Sequence, residues 1–241
     1  MEKLNDFTAL ICARGGSKGL PKKNLCNLGD RSLLGHAISV ATETKSVNRV
    51  LVSTDSEEIA KEAQSWGAEV PFLRDAELAS DTASEWSVWQ NMAAWLKLEN
   101  HKTSGMVILS PTAPLRAIED VENAILLFDK TRCDGVISVT ESHRNPMFNM
   151  VKLDSSGNAH LALKPNSQIY RRQDAPVYYD ITTVCYVMSL NYILRGNSLL
   201  EGKIKCNFVP KERAIDIDTG YDLLIAELLQ QHNKLNSDKD K

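Results

Sequence analysis

The sequence has no Cys-x-x-Cys pair, no phosphate loop of the form GxxxxGK[ST], no GxGxxG spacing and no apolar run long enough to span a bilayer. Its five cysteines (Cys12, Cys26, Cys133, Cys185 and Cys206) are scattered and odd in number, which argues against a disulfide framework or a thiolate metal site. The five histidines are equally dispersed, so zinc chemistry is not expected. Charge of one sign is also missing: 28 basic against 31 acidic side chains leave a net charge of −3. A surface built to hold nucleic acid is therefore not expected, and any phosphate binding must be local. The apolar stretch over residues 7–13 is too short and wrongly flanked for a signal peptide, which predicts a cytoplasmic protein with no membrane partner.

What is present is a rhythm. Residues 8–13 (TALICA) have the length of a buried strand, and a polar, glycine-bearing loop over 14–30 follows. Leu33, Leu34, Ala37, Ile38 and Ala41 recur at helical spacing, so a helix starts near Arg31. Residues 49–54 (RVLVST) form the next strand, and Asp55 or Ser56 caps a helix that ends at Gly67. Residues 69–73 read as a short third strand. The pattern continues with a helix over 85–98, whose Trp86, Trp89 and Met92 form a core stripe, a strand over 106–110, a helix over 118–128 and a strand over 135–140. Apolar strands alternating with helices predict an α/β fold, doubly wound, with a mostly parallel sheet covered on both faces. Over 146–173 the rhythm breaks into short polar segments with a turn at 155–158, which predicts an inserted subdomain (146–176) within a single domain spanning 1–241. A strand over 183–189, a helix from Leu190, a strand over 205–209 and a helix from 219 to about 229 complete the chain, and the charged tail after His232 is expected to fray.

Ligands of open α/β sheets bind at the carboxyl ends of the strands, and the first such loop is the richest. Residues 14–24 (RGGSKGLPKKN) combine three glycines with four cations. Glycines let backbone N–H groups approach phosphate oxygens, and the cations neutralise the charge those oxygens carry, so a triphosphate suits the loop. A second constellation, AIDIDT, places Asp216 and Asp218 two residues apart, on one face of an extended segment. Hard oxygen ligands at that spacing suit Mg²⁺ bridged to nucleotide phosphates. The bland reading of the pair is two solvated acids, or Asp218 as a helix cap.

The segments ARGGSKGLPKKN, LLGHAI, VSTD, LRDAELASDTAS, SPTAPLR and AIDIDT, in that order over about residues 8–229, resemble the acylneuraminate cytidylyltransferase family, the CMP-sialic acid synthetases and their relatives. The resemblance implies a Rossmann-like nucleotidyltransferase fold, CTP as the donor, and a homodimer whose inserted subdomain reaches the neighbouring active site. It implies catalytic roles for Arg14 and Lys23 on the triphosphate and for Asp216 and Asp218 on Mg²⁺. Ala13, Gly15, Gly16, Ser17, Lys18 and Asn24 would complete the phosphate loop, and Arg74, Ser80, Asp81, Thr82 and Ser84 would border cytosine and ribose. Ser110, Thr112, Arg116, Thr182 and Thr183 would line the sugar pocket, with Arg172 and Gln173 meeting the sugar carboxylate from the dimer interface. The implied reaction forms a CMP-activated nonulosonic, sialic-acid-like sugar from CTP with release of pyrophosphate. The alternatives are another 2-keto-3-deoxy acid (Kdo-like) as acceptor, or a nucleotide-binding module without turnover. Two positions depart from the family pattern: Ser110 stands where glutamine is usual, and Thr182-Thr183 replaces an asparagine-glycine pair, so the sugar is expected to differ from N-acetylneuraminate itself.

Overall fold

A computed structural model describes residues 6–17 and 19–237 of the chain. Ten strands appear in it: β1 (Phe7–Cys12), β2 (Asn27–Leu28), β3 (Arg31–Ser32), β4 (Val47–Ser53), β5 (Gly105–Ile108), β6 (Gly135–Glu141), β7 (Val151–Leu153), β8 (Ala159–Leu161), β9 (Tyr179–Met188) and β10 (Ile204–Phe208). The seven α-helices are α1 (Leu33–Glu43), α2 (Glu57–Ser65), α3 (Ala76–Ala79), α4 (Glu85–Leu98), α5 (Ile118–Thr131), α6 (Leu190–Arg195) and α7 (Gly220–Ser237). Six strands form the central sheet in the order β10-β6-β9-β5-β1-β4.

The period-two alternation of the strands builds a core on each face of that sheet. On β1, Phe7, Ala9 and Ile11 point to the face covered by α1, α2 and α5, while Leu10 points to the face covered by α4 and α6. The tryptophan stripe of α4 is buried core, as its spacing predicted: Trp86, Trp89 and Met92 are all under 10% exposed. Helix starts follow local chemistry. Ser32, Ser56 and Ser84 each accept a backbone N–H three residues on, satisfying a donor that the first helical turn leaves open.

Two expectations need correction, the strand over 69–73 and the end of the last helix. Residues 69–73 form no strand, only bridges from Glu69 to Leu51 and from Leu73 to Thr54, because Pro71 between them has no N–H to give a ladder. The sheet is mostly parallel, as expected, with one antiparallel strand: β9 lies between β5 and β6 and runs against both. No α-helix separates β6 from β9, only a 3₁₀ turn over Arg172–Asp174, and without a crossover helix the chain returns beside β6 in the opposite sense. The last helix runs past residue 229 to Ser237, so the chain after His232 continues it. Lys18, residues 1–5 and residues 238–241 lie outside the described residues. No described helix is long and apolar enough to cross a membrane.

The segment between β6 and β9 carries the hairpin β7–β8, whose residues are all exposed. Its turn hangs on Asp154, which accepts hydrogen bonds from the backbone N–H groups of Ser156 and Asn158 at 2.9 Å each and lies 3.1 Å from His160 Nε2. Gly157 supplies the positive φ (82°) that closes the turn. The Asn158 backbone bond, then His160 and the Asn158 side chain, lower the Asp154 pKa to about 2. A depressed folded-state value stabilises the hairpin above the unfolded aspartate pKa of about 3.9, and that help disappears as pH falls from there towards 2. Hydrogen-exchange protection of β7 and β8 amides should therefore fall across that acid window, and Asp154→Ala should lower it already at neutral pH.

Candidate active site

The sequence writes Ile-Asp-Ile-Asp over 215–218, and hydrophobic packing decides which way it faces. Ile217 is fully buried against Leu28, Leu33 and Ala226, with Leu20, Leu115, Ile215 and Leu223 around them. Its N–H donates to the Thr112 carbonyl at 2.8 Å. With the isoleucines held inward, Asp216 and Asp218 project outward together. No strand is formed here, but the alternation that an extended segment predicts is present. Upstream, Arg213 makes two 2.9 Å hydrogen bonds to the buried carboxylate of Asp120, which pins the approach to this segment.

The loop after β1 comes to the same place. Lys22 takes a left-handed turn (φ 52°) into a short 3₁₀ turn, Lys23 Nζ donates to Asp218 Oδ1 at 2.7 Å, and the buried Asn24 amide donates to the Arg14 carbonyl at 3.0 Å. Gly19 passes so close that a Cβ there would stand 2.4 Å from the Asp218 carbonyl oxygen, a backbone atom that cannot step aside. Arg14 Nη1 meets Asp81 Oδ1 at 2.9 Å, and the Gly15 N–H donates to Asp55 Oδ1 at 2.9 Å. A polyphosphate arriving at this loop would have to compete with Asp81 and Asp218 for Arg14 and Lys23.

These elements enclose a cleft of about 450 Å³. Of the residues expected on nucleotide and sugar, Arg14, Ser17, Lys23, Asn24, Arg74, Ser80, Asp81, Ser110, Thr112 and Asp218 line it. Arg74 is 8% exposed and tied to Ser53, with Nη2 2.6 Å from the carbonyl oxygen and Nε 3.2 Å from Oγ. Ser110 Oγ lies 2.7 Å from Thr112 Oγ1. Others stand behind or beside the cleft. Ala13 is buried beneath it, Gly15 and Gly16 sit in the loop, Thr82 bonds Ser80, and Ser84 spends its hydroxyl capping α4. Arg116, Thr182 and Thr183 do not line the cleft: Arg116 is 4% exposed and bonds the Ser110 carbonyl, its Nε and Nη1 and the Thr182 hydroxyl have no hydrogen-bond partner among the described residues, and the Thr183 hydroxyl stands by the Asp216 carboxylate. Burial lowers the Arg116 pKa to about 10, so the guanidinium stays charged. Arg172 and Gln173 are not brought to this cleft within the chain; they line a second one of about 520 Å³, beside Arg144, Tyr178 and Lys211.

The charges around the two aspartates would suit a cation. Burial raises the Asp216 pKa, the Thr112 hydroxyl pulls it down, Asp218 raises it again and Lys23 lowers it. Two hard carboxylates that repel each other and stand beside a phosphate loop form the donor set that Mg²⁺ takes when phosphates and water complete its shell. Sequence reasoning missed Asp55, read only as a cap, and also Cys12 and Glu85, both of which line the cleft. Burial holds the Cys12 thiol protonated, so it offers no nucleophile.

The family model for cytidylyltransferases matches residues 8–229. The chain belongs to the cytidylyltransferase family. Among curated relatives, this cytidylyltransferase is 35% identical over 228 residues to the CMP-N,N'-diacetyllegionaminic acid synthase of Campylobacter jejuni (93% of this chain, 94% of the relative). It is 30% identical over 237 residues to the post-translational flagellin modification protein B of Campylobacter coli (97% and 99%). Among solved structures, it resembles a CMP:2-keto-3-deoxy-manno-octonic acid synthetase complexed with CTP, at TM-score 0.69 and 16% identity, with 95% of this chain and 99% of that one covered. That likeness establishes the nucleotidyltransferase fold.

Replacing Gly19 by alanine should separate the loop from Asp218. The Gly19→Ala enzyme is expected to keep its urea midpoint while kcat/KM for the nucleotide falls by about tenfold or more, the scale of a positioning defect at a reacting centre. Steady-state kinetics beside an unfolding titration checks this.

Proposed function

We propose that this cytidylyltransferase joins CMP from CTP to an acidic nonulosonic sugar of the legionaminic, pseudaminic or sialic class and releases pyrophosphate. The observation that carries the reading is the Lys23–Asp218 pair, which joins a phosphate loop and a metal-type carboxylate pair at one cleft. Relatives named for CMP-N,N'-diacetyllegionaminic acid synthesis, pseudaminic acid cytidylyl transfer and N-acylneuraminate cytidylyl transfer support the acceptor class.

In this reading the anomeric hydroxyl of the sugar attacks the α-phosphorus of CTP, and pyrophosphate leaves in line. Arg14, Lys23 and the loop N–H groups hold the triphosphate and take up charge that grows on its oxygens as the bond breaks. Arg74, Ser80 and Asp81 border the nucleoside, and Ser110 and Thr112 the acceptor. Asp216 and Asp218 would hold Mg²⁺, which supplies Lewis-acid neutralisation of the phosphates when bound. CTP as donor fits a cytoplasmic enzyme. The segment over 146–176 and its neighbours expose Val151, Leu153, Tyr170 and, on β10, Phe208, each more than 60% exposed. An apolar surface of that kind supports a homodimer, in which Arg172 and Gln173 would serve the partner's sugar site.

Pyrophosphate release is expected with CTP and at least one acid from a panel of N,N'-diacetyllegionaminic, pseudaminic, N-acetylneuraminic and 2-keto-3-deoxy-octonic acids, and not with UTP. Release with none of them overturns the reading. Asp216→Asn and Asp218→Asn should each lower kcat by about 100-fold or more, in line with loss of electrostatic stabilisation at a reacting phosphate. Turnover at the wild-type rate removes the metal assignment.

A further inference from the structure

Asp222, in the first turn of α7, does not line the cleft, yet one of its oxygens carries three hydrogen bonds beside it. Oδ2 accepts the Thr219 N–H and the Thr219 hydroxyl at 2.8 Å each, and the Asp218 N–H at 3.1 Å. Thr219 in return accepts the Asp222 N–H on Oγ1 at 3.4 Å and the Leu223 N–H on its carbonyl at 3.2 Å, which makes it the residue that opens the helix. The exchange between Thr219 and Asp222 is a capping box, and a capping box needs only those two residues. The bond from Asp218 is a surplus. It extends the box one residue upstream, onto the backbone of a residue proposed to hold Mg²⁺.

Asp218 is fixed from three directions. Its N–H is on Asp222, its carbonyl lies so close to Gly19 that no side chain fits there, and its carboxylate is on Lys23 at 2.7 Å. The last of these is the tie that a polyphosphate entering the loop would break, since the Asp218 side chain is 71% exposed and Lys23 would turn to the phosphates. From then on the direction of the carboxylate depends on the main chain that carries it, and that main chain is held by Asp222 and by the packing of Ile217. We infer that Asp222 is a positioning residue: through the Asp218 N–H it keeps the aspartate pair turned to the cleft once polyphosphate has taken Lys23, so that a divalent cation meets both carboxylates in place. The inference rests on the proposed reaction and deepens it.

The test reads CTP binding to the full chain by calorimetry, without acceptor, once with Mn²⁺ and once with EDTA. Wild type should bind CTP more tightly with Mn²⁺. Asp222→Ala should raise the Kd measured with Mn²⁺ by about tenfold or more, the usual effect of losing a partner that orients a metal ligand. The Kd in EDTA should not rise, because Arg14 and Lys23 are held by Asp81 and Asp218. Asp222→Asn keeps an acceptor oxygen at the same reach and should recover most of the Mn²⁺ effect. Asp222→Glu keeps the charge but displaces the acceptor, so it should show the Mn²⁺-specific rise even where Asp222→Ala does not fold. Ser189→Ala, which removes the cap of α6, should lower the thermal midpoint and leave both constants within about twofold of wild type. Equal rises with Mn²⁺ and with EDTA, a Mn²⁺ Kd unchanged in both Asp222→Ala and Asp222→Glu, or the same rise in Ser189→Ala overturn the inference and leave the proposed reaction standing. A wild-type chain that binds CTP no better with Mn²⁺ than with EDTA removes the metal assignment, and the inference with it.

Discussion

The burial of Ile217 is the constraint on which the site depends. Removing one isoleucine side chain from water is worth roughly 2–3 kcal/mol, and here that energy is spent at the meeting point of three distant segments. Leu28 and Leu33 come from the strand–helix entry, Leu115 from the loop before α5, and Ala226 from α7. Because Ile217 points in, its neighbours on either side must point out, so a hydrophobic contact sets the direction of two carboxylates. The same cluster takes in Leu20, which brings the glycine loop to Asp218 across 195 residues of chain between Lys23 and its partner.

Charge follows from that placement. Four cations crowd a short loop, and the fold answers with acids from four separate elements: Asp55 after β4, Glu58 on α2, Asp81 before α4 and Asp218 before α7. These pairs are largely solvent-accessible and each is worth little to stability. Their weight is in preorganisation: in the proposed reaction Arg14 and Lys23, already held by exposed acids, would exchange them for phosphate oxygens at small cost. Arg116 and Asp120 differ. They are buried, charged and set under the cleft wall, where losing a partner costs several kcal/mol, so they fix geometry and do not exchange.

Much of this was legible in the chain. The helix starts were readable because Ser32, Ser56 and Ser84 are capping residues followed by helical apolar spacing, and the two faces of the core because strand residues alternate. The glycine loop and the aspartate pair were readable because their chemistry is concentrated in a few adjacent positions. What escaped was long-range in origin. The mostly parallel sheet was readable, but strand direction has no signature in composition, so the antiparallel sense of β9 was not, although the lack of an α-helix between it and β6 held the clue. Pro71 was visible, and its effect on residues 69–73 follows from its missing N–H. Asp55 was read as a cap because it precedes a helix, whereas Ser56 takes that role and leaves Asp55 for the Gly15 N–H.

A site's specificity is harder to read than its reaction. Phosphate transfer needs cations, glycines and hard oxygens at positions that repeat in sequence, and its residues announce themselves by type. Recognition of a sugar needs one acceptor or donor at the right point of a wall, and any polar residue can supply it. At the start of α4 a glutamate looks like an ordinary first-turn acid that complements the helix dipole. It also lines the cleft and accepts the Trp89 indole N–H, which its place in the chain does not announce. In the proposed reaction the loop and the aspartate pair would set the chemistry, while Ser110 after β5 and Thr182-Thr183 on β9, where the chain departs from the family pattern, would bear on the choice of sugar.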